Sequence, residues 1–87
     1  MLNQQGSKMK HWHYEVDATS LNCPMPLLKM KMALNKAEIG ETILVKATDS
    51  ASRRDFKAFI NMTPHTLEIK VEEKLFFYWI TKNKQDS

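Results

Sequence analysis

The residue with the most evident chemistry is Cys23, because it is the only cysteine in the sequence and two prolines, Pro24 and Pro26, follow it closely. A cysteine thiolate acts as a nucleophile, a redox group or a metal ligand. Without a second cysteine, neither an intrachain disulfide nor Cys-x-x-Cys dithiol chemistry is possible. The sequence therefore excludes a thioredoxin-type oxidoreductase and a multi-cysteine zinc module.

The prolines predict that Cys23 lies directly before a helix. Pro26 suits the first helical turn, where its missing N–H needs no partner and its fixed φ is already helical. The free N–H groups of that turn favour a thiolate by ~0.3–2 kcal/mol, which lowers the pKa of a thiol by roughly 0.25–1.5 units. A nearby cation would add to this effect, and Lys29, Arg53 and Arg54 are the candidates. A cysteine packed as a small apolar residue is the alternative, but a loop stiffened by prolines favours a nucleophile.

The periodicity of apolar residues predicts the elements that position this loop. Strands are predicted over 13–19, 42–48, 67–71 and 75–81, and helices over 27–37 and 50–62. Gly40 is expected to end the first helix, Asp49 to cap the second and Pro64 to stop it. The order β-α-β-α-β-β predicts an α/β (α+β) fold, a two-layer sandwich with both helices packed on one face of a four-stranded mixed sheet. The strand order is left open.

Length and composition predict one small globular domain. The 87 residues are 43% hydrophobic and 26% charged, with two Gly and three Pro. We expect a disordered or tag-like segment over 1–10, a single domain over 11–82 and a C-terminal tail over 83–87. No apolar run approaches the ~18 residues of a membrane helix, and the first ten residues lack the apolar segment of a signal peptide. The expected location is the cytoplasm, without a membrane partner.

The net charge of +3 does not indicate nucleic-acid binding. Of 13 basic residues four lie in the end segments, and of 10 acidic residues one does, so residues 15–81 are formally neutral. A nucleic-acid footprint would be a basic stripe on the domain itself, and direct nucleic-acid binding is therefore not expected. No metal site is expected either, because no spacing brings the three histidines together with Cys23. The basic residues of the end segments are Lys8, Lys10, Lys82 and Lys84, and the histidines are His11, His13 and His65.

The segment that contains the cysteine resembles a family signature. Residues 17–26 read Asp-Ala-x-x-Leu-x-Cys-Pro-x-Pro, which is similar to the motif of the TusA-like family (also called SirA/YedF-like) of small sulfur-carrier proteins. The resemblance continues through residues 40–42, Gly-Glu-Thr, and through Asp49 with Arg54-Asp55, a counterpart of the family's Asp-x-x-x-x-Arg-Asp pattern. It covers about residues 14–82 and implies the same two-layer fold.

The resemblance implies a persulfide relay on Cys23. Sulfane sulfur would come from a donor such as a cysteine desulfurase, be carried as a transient Cys23 persulfide without another cofactor, and pass to a downstream acceptor protein. This is the activity of a sulfurtransferase-type carrier that acts on protein persulfides, rather than of a stand-alone small-molecule enzyme. Pro24 and Pro26 would stiffen the loop, and Asp17 would bind its backbone N–H groups.

Four further residues are candidate contacts for the thiolate or for a partner, namely Met25, Lys29, Arg53 and Arg54. Asn22 and Met25 stand where family members often have a basic and an acidic residue, which leaves the identity of the partner open. Two other functions stay open: an RNA- or protein-binding regulatory module of the same fold, and a thiol redox sensor. The end use of the sulfur is open among tRNA thiolation, sulfur oxidation, and molybdenum-cofactor or selenium chemistry.

Overall fold

Strands and helices follow one another along the chain in the order predicted from the sequence. The structure is a computed structural model that describes residues 11–83. The elements are β1 (Tyr14–Ala18), α1 (Met25–Lys36), β2 (Thr42–Ala47), α2 (Ala51–Asn61), β3 (Thr66–Glu72) and β4 (Leu75–Thr81). The predicted α+β fold, with two helices and a four-stranded mixed sheet, is confirmed. The predicted segment 1–10, and residues 84–87 of the predicted tail, lie outside the described residues.

The strands form one sheet in the order β1-β2-β4-β3. β1 and β2 are parallel, with Val16 opposite Val45, and β4 is antiparallel to both of its neighbours, with Tyr78 opposite Val45 and Ile69. The two crossovers, β1-α1-β2 and β2-α2-β3, therefore cross the sheet in the same direction. Because such connections are right-handed in nearly all proteins, both helices lie on the same face of the sheet.

The core lies between the helices and the sheet, as the alternation along strands and the four-residue spacing along helices dictate. Met30 and Leu34 of α1 and Phe56 and Ile60 of α2 are buried in it. The Phe56 ring stacks on the ring of Tyr78, with centroids 4.2 Å apart. Burying one side chain of this size stabilises the fold by ~1.5–3 kcal/mol. The buried strand residues of this cluster are Ala18, Ile43, Val45, Ala47, Tyr78 and Ile80.

Helix α1 begins and ends at other residues than those predicted. It begins at Met25, two residues before the predicted start. The prediction that Gly40 ends the helix is wrong, because the last helical residue is Lys36 and Ala37 is the C-cap. Gly40 lies in the following loop with a φ of +94°, and its N–H donates to the carbonyl of Lys82 (2.6 Å).

The side chain of Lys82 explains why α1 can end where it does. The residue is only 2% exposed, and its Nζ donates to the carbonyls of Leu34 (3.0 Å) and Ala37 (2.9 Å). The Leu34 carbonyl also accepts a hydrogen bond from the N–H of Ala37 (3.2 Å). The positive charge of Lys82 suits the negative end of the helix dipole. The assignment of Lys82 to a basic end segment is therefore wrong, since the residue lies inside the fold.

The other face of the sheet carries Phe77 and Trp79, which stack with ring centroids 6.1 Å apart. Their neighbours across the strands are mostly charged or polar, so this face differs from the apolar face under the helices. Two ion pairs lie on it, Lys46–Glu15 (2.8 Å) and Lys70–Glu72 (3.1 Å). Neither helix of residues 11–83 has the length and apolar character needed to cross a membrane.

Candidate functional site

Cys23 lies in the loop that leads from β1 into α1, and its thiol is free and exposed. Two backbone hydrogen bonds fold this loop. The Leu21 N–H donates to the carbonyl of Ala18 (3.2 Å), and the Met25 N–H donates to that of Asn22 (2.8 Å). The sulfur atom therefore stands just outside the first turn of α1, where a partner can reach it.

Pro24 and Pro26 shape the start of α1. Pro24 is the N-cap, and its carbonyl accepts a bond from the N–H of Leu28 (3.0 Å). Pro26 is buried in the first turn, where a missing N–H leaves no bond unmade. The Cys23–Pro24 peptide bond is cis. Because the Leu28 N–H is used within the helix, it is not available to a thiolate at Cys23.

A side chain of β1 and one from the residue after β2 hold the first half of the loop. Asp17 accepts hydrogen bonds from the hydroxyl (2.6 Å) and the backbone N–H (3.0 Å) of Thr19, and these bonds hold the pKa of Asp17 below its usual value. Ser20 has a positive φ of 69°, and its N–H donates to the hydroxyl of Thr48 (2.8 Å), which follows β2. The loop is thus tied to the ends of both β1 and β2.

Asp49 connects the loop to α2. One of its carboxylate oxygens accepts a hydrogen bond from the backbone N–H of Cys23, and the other accepts one from the N–H of Ala51 (3.1 Å). The prediction that Asp49 is the N-cap of α2 is wrong by one residue, because Ser50 holds that position and makes no side-chain cap bond. No local pattern indicates that this carboxylate also reaches a residue 26 positions earlier in the chain.

Asp55 of α2 contacts the sulfur itself. The Cys23 thiol donates a hydrogen bond to Oδ2 of Asp55. Asp55 is half-buried, and its neighbour Phe56 is fully buried against Tyr78, so the packing of the helix fixes the carboxylate. In the sequence, only the resemblance of the Arg54-Asp55 pair to the family pattern singles out Asp55. The fold is needed to show that its side chain meets Cys23.

These contacts raise the pKa of Cys23 above its usual value. The hydrogen bond to Asp55 is the largest cause, followed by partial removal from water and by the negative charges of Asp55 and Asp49. Arg54 acts in the opposite direction without reversing the shift. The prediction that the helix N-terminus lowers the pKa of Cys23 is therefore wrong in direction. A hydrogen bond from the thiol to a carboxylate and two negative charges nearby all favour the neutral thiol.

The other predicted contacts surround the loop on different elements. Arg53 and Arg54 are exposed on the first turn of α2. Met25 is exposed on α1, directly after the Cys-Pro pair. Lys29 is also exposed on α1, but it lines a cleft of about 390 Å³ between α1 and β1, together with Asp17. Of the three predicted cations, Arg54 is the one whose charge acts on the pKa of Cys23.

The histidines make other contacts. Nδ1 of His13 accepts a hydrogen bond from the N–H of Thr42 (3.1 Å), and Nδ1 of the buried His65 accepts one from the N–H of Asn83 (3.1 Å). In the described range, 11–83, no three His, Cys, Asp or Glu side chains are grouped to hold a metal ion. The chemistry that this site offers is that of a thiol and two carboxylates.

Three comparisons relate the chain to known proteins. A protein from Allochromatium vinosum named sulfur carrier protein TusA is 39% identical over 74 residues, which are 85% of this chain and 97% of the relative. A protein of the same name from Pseudomonas putida is 38% identical over 68 residues, which are 77% of this chain and 85% of the relative. The crystal structure of a SirA-like protein from Desulfitobacterium hafniense has the same fold, with a TM-score of 0.73 at 20% identity, and the match covers 83% of this chain and 100% of that one. The family model described as Sulfurtransferase TusA matches residues 14–82, which include all four strands and both helices, and the chain therefore belongs to the TusA family.

Proposed function

We propose that this protein is a sulfur carrier that holds sulfane sulfur as a persulfide on Cys23. The observation that carries the proposal is the exposed, free thiol of Cys23 at the start of α1 in a TusA-family domain. The relatives from Allochromatium vinosum and Pseudomonas putida are named sulfur carrier proteins. The activity is of the sulfurtransferase type, with protein persulfides as substrates and no cofactor beyond the sulfur that is carried.

Each transfer is an exchange between a thiol and a persulfide. Cys23 Sγ attacks the outer sulfur of the donor persulfide, the S–S bond of the donor breaks, and the donor leaves as a thiol. A thiol of the acceptor then attacks the outer sulfur of the Cys23 persulfide and releases Cys23 as a thiol. One sulfane sulfur moves in each step, and no outside oxidant or reductant is consumed. Because each partner brings its own thiol, one cysteine in the carrier is enough.

Helix α1 offers a contact surface beside the sulfur. Met25, Leu28 and Met32 follow a helical spacing that places them on one side of α1, and they are 44%, 43% and 61% exposed. The helix has no acidic residue, and its Lys29 and Lys36 are exposed. We therefore expect partners that present apolar and acidic side chains around a reactive cysteine. A cysteine desulfurase is the proposed donor, and a second thiol protein is the proposed acceptor.

The geometry supports the two alternative functions less well. Oxidation of a redox-sensing thiol follows its thiolate character, whereas the hydrogen bond to Asp55 raises the pKa of Cys23. An RNA-binding sheet face needs free basic groups beside its aromatic rings. Here the two lysines opposite Phe77 each pair with a glutamate.

The cytoplasm is the proposed location. A reducing compartment keeps an exposed thiol such as Cys23 free of disulfides. The end use of the sulfur, in tRNA thiolation or in one of the other pathways named above, depends on the acceptor protein.

Intact-protein mass spectrometry under non-reducing conditions tests the proposal. The protein is incubated with a cysteine desulfurase and cysteine, in parallel with the variant Cys23→Ala. We expect the wild type to gain the mass of one sulfur atom, a reductant to remove that mass, and the variant to gain none. Alkylation by iodoacetamide in a separate sample shows that the thiol is free. A thiol that alkylates but gains no sulfur from several desulfurases contradicts the proposal.

A further inference from the structure

The carboxylate of Asp55 lies where a proton must move during sulfur transfer. It accepts a hydrogen bond from Cys23 Sγ, whereas the carboxylate of Asp49 accepts one from the backbone N–H of the same cysteine. A neutral thiol is a weak nucleophile and must lose its proton to react. A group that can receive this proton is therefore already in contact with the sulfur.

We propose that Asp55 is a catalytic residue that accepts the thiol proton of Cys23 during attack on a persulfide and gives a proton to the departing sulfur of the donor. This proposal rests on the sulfur-carrier function and adds the group that moves the proton. Hydrogen-bond contact with the proton to be removed is the first requirement for a general base, and Asp55 meets it.

The proposed step balances in atoms, electrons and protons. The donor persulfide is written R–S–SH. As Cys23 Sγ bonds to the outer sulfur, the thiol proton passes to the carboxylate of Asp55. The S–S bond of the donor breaks with its electron pair on the inner sulfur, and Asp55 gives that sulfur a proton. The products are the Cys23 persulfide, R–SH and the restored carboxylate of Asp55.

The charges around the sulfur explain why a base is required. The negative charges of Asp55 and Asp49 and the positive charge of Arg54 all act on the Cys23 thiol. Their net effect, together with burial, raises the pKa of Cys23, so the resting thiol keeps its proton at neutral pH. A protonated thiol is a poor target for alkylation and oxidation. The same carboxylate thus protects the empty carrier and activates it when a persulfide arrives.

The packing of α2 keeps Asp55 in place. Phe56, the next residue, is fully buried and stacks on Tyr78. Ser52, almost one turn earlier, is also buried, and its hydroxyl is hydrogen-bonded to the Tyr78 hydroxyl (2.6 Å). Because these contacts hold the helix, the substitution Asp55→Asn changes the proton-accepting group while the fold around it is kept.

The test measures two rates on Asp55→Asn, with Glu38→Gln as the matched control, because Glu38 is exposed beyond the end of α1 that lies away from Cys23. The first is alkylation of Cys23 by iodoacetamide as a function of pH, which reports how readily the thiol ionises. The second is the gain of sulfur in a single turnover from glutathione persulfide, a small donor that needs no docking surface. Circular dichroism checks that both variants are folded.

For Asp55→Asn we expect faster alkylation at neutral pH, because the bond that holds the thiol proton is weakened. We also expect sulfur gain slowed by about 10²-fold, the low end of the range for a lost general base. Glu38→Gln should gain sulfur at close to the wild-type rate. If Asp55→Asn gains sulfur as fast as the wild type or faster, the catalytic role is overturned while the carrier function stands. If the wild type gains sulfur neither from glutathione persulfide nor from a cysteine desulfurase, both proposals are overturned.

Discussion

The two ends of α1 are bound by side chains of opposite charge and differ in their exposure to water. At its C-terminal end, the buried ammonium of Lys82 binds the carbonyls of Leu34 and Ala37. At its N-terminal end, the exposed thiol of Cys23 donates a hydrogen bond to Asp55, and the backbone N–H of Cys23 donates one to Asp49. Both ends receive side chains from distant parts of the chain, but one end is closed to water and the other is open to partners.

The charge of a helix end therefore does not by itself decide the protonation state of a group placed there. At the C-terminal end the ligand is a cation, as the dipole favours. At the N-terminal end the dipole favours a thiolate, yet the carboxylates of Asp55 and Asp49 raise the pKa of Cys23. The first end therefore supports the fold, while the second favours the protonated form of its thiol.

Removing the cation at the closed end should have the largest effect on stability. In Lys82→Met the carbonyls of Leu34 and Ala37 each lose a hydrogen bond to the buried ammonium, while the Leu34 carbonyl keeps its bond from the Ala37 N–H. Because a hydrogen bond to a charged group contributes ~1.5–3 kcal/mol and two are lost, partly offset by the ammonium that no longer needs to be buried, we expect the free energy of unfolding to fall by about 3 kcal/mol. Urea denaturation measures it.

Lys74→Met is the matched control, since Lys74 is exposed in the turn between β3 and β4. We expect it to change stability by less than ~0.5 kcal/mol. A Lys82→Met variant as stable as the wild type would show that desolvating the ammonium costs as much as its hydrogen bonds return. The supporting role of the closed end would then be lost.

A smaller effect on the free energy of unfolding is expected at Ser52 of α2, near the N-terminal end of α1. Its hydroxyl donates to the carbonyl of Asp49 (2.6 Å) and is hydrogen-bonded to the hydroxyl of Tyr78 (2.6 Å). Ser52→Ala leaves the Tyr78 hydroxyl without this partner, so we expect a loss of about 1–2 kcal/mol in urea denaturation. Adding Tyr78→Phe should cost less than the sum of the two single variants, because no orphaned hydroxyl remains. Additive costs would mean that the two hydroxyls do not stabilise the site through each other.

The smallest effect is expected at Asp17, and it should depend on pH. The bonds from Thr19 lower the pKa of Asp17. A carboxylate with a lowered pKa stabilises the fold above its unfolded pKa of ~3.9, and the contribution is lost as the pH falls through the lowered value. Asp17→Asn should therefore be slightly less stable than the wild type at neutral pH, and the gap should close in acid. A gap of constant size across this pH range in chemical denaturation would rule out this linkage.

Local patterns in the sequence predict the strands and helices, but they do not predict how these elements are arranged in the fold. The bounds of β4, Leu75–Thr81, are as predicted because its apolar run lies between two clear breaks. The strand order is set by pairing between distant segments, with β4 inserted between β2 and β3. The end of α1 was mispredicted at Gly40 because the donor that caps it, Lys82, lies 45 positions from Ala37.

The same limit applies to the site. Cys23 and its prolines stand out because their chemistry is local and unusual. The carboxylates that set the state of the thiol come from 26 and 32 positions further along the chain. Nothing in the six-residue spacing of Asp49 and Asp55 shows that one meets the backbone of Cys23 and the other its sulfur. These two contacts form because α2 packs on the same face of the sheet as α1.

The strand order has a consequence for how the molecule behaves in concentrated solution. It leaves β1 and β3 as the outer strands. Charged side chains recur along both of them, with Glu15 and Asp17 on β1 and Glu68, Lys70 and Glu72 on β3. Such charges oppose the pairing of an outer strand with that of a neighbouring molecule, which is a common route to aggregation. We therefore expect the carrier to stay dispersed at concentrations where proteins with uncharged sheet edges precipitate.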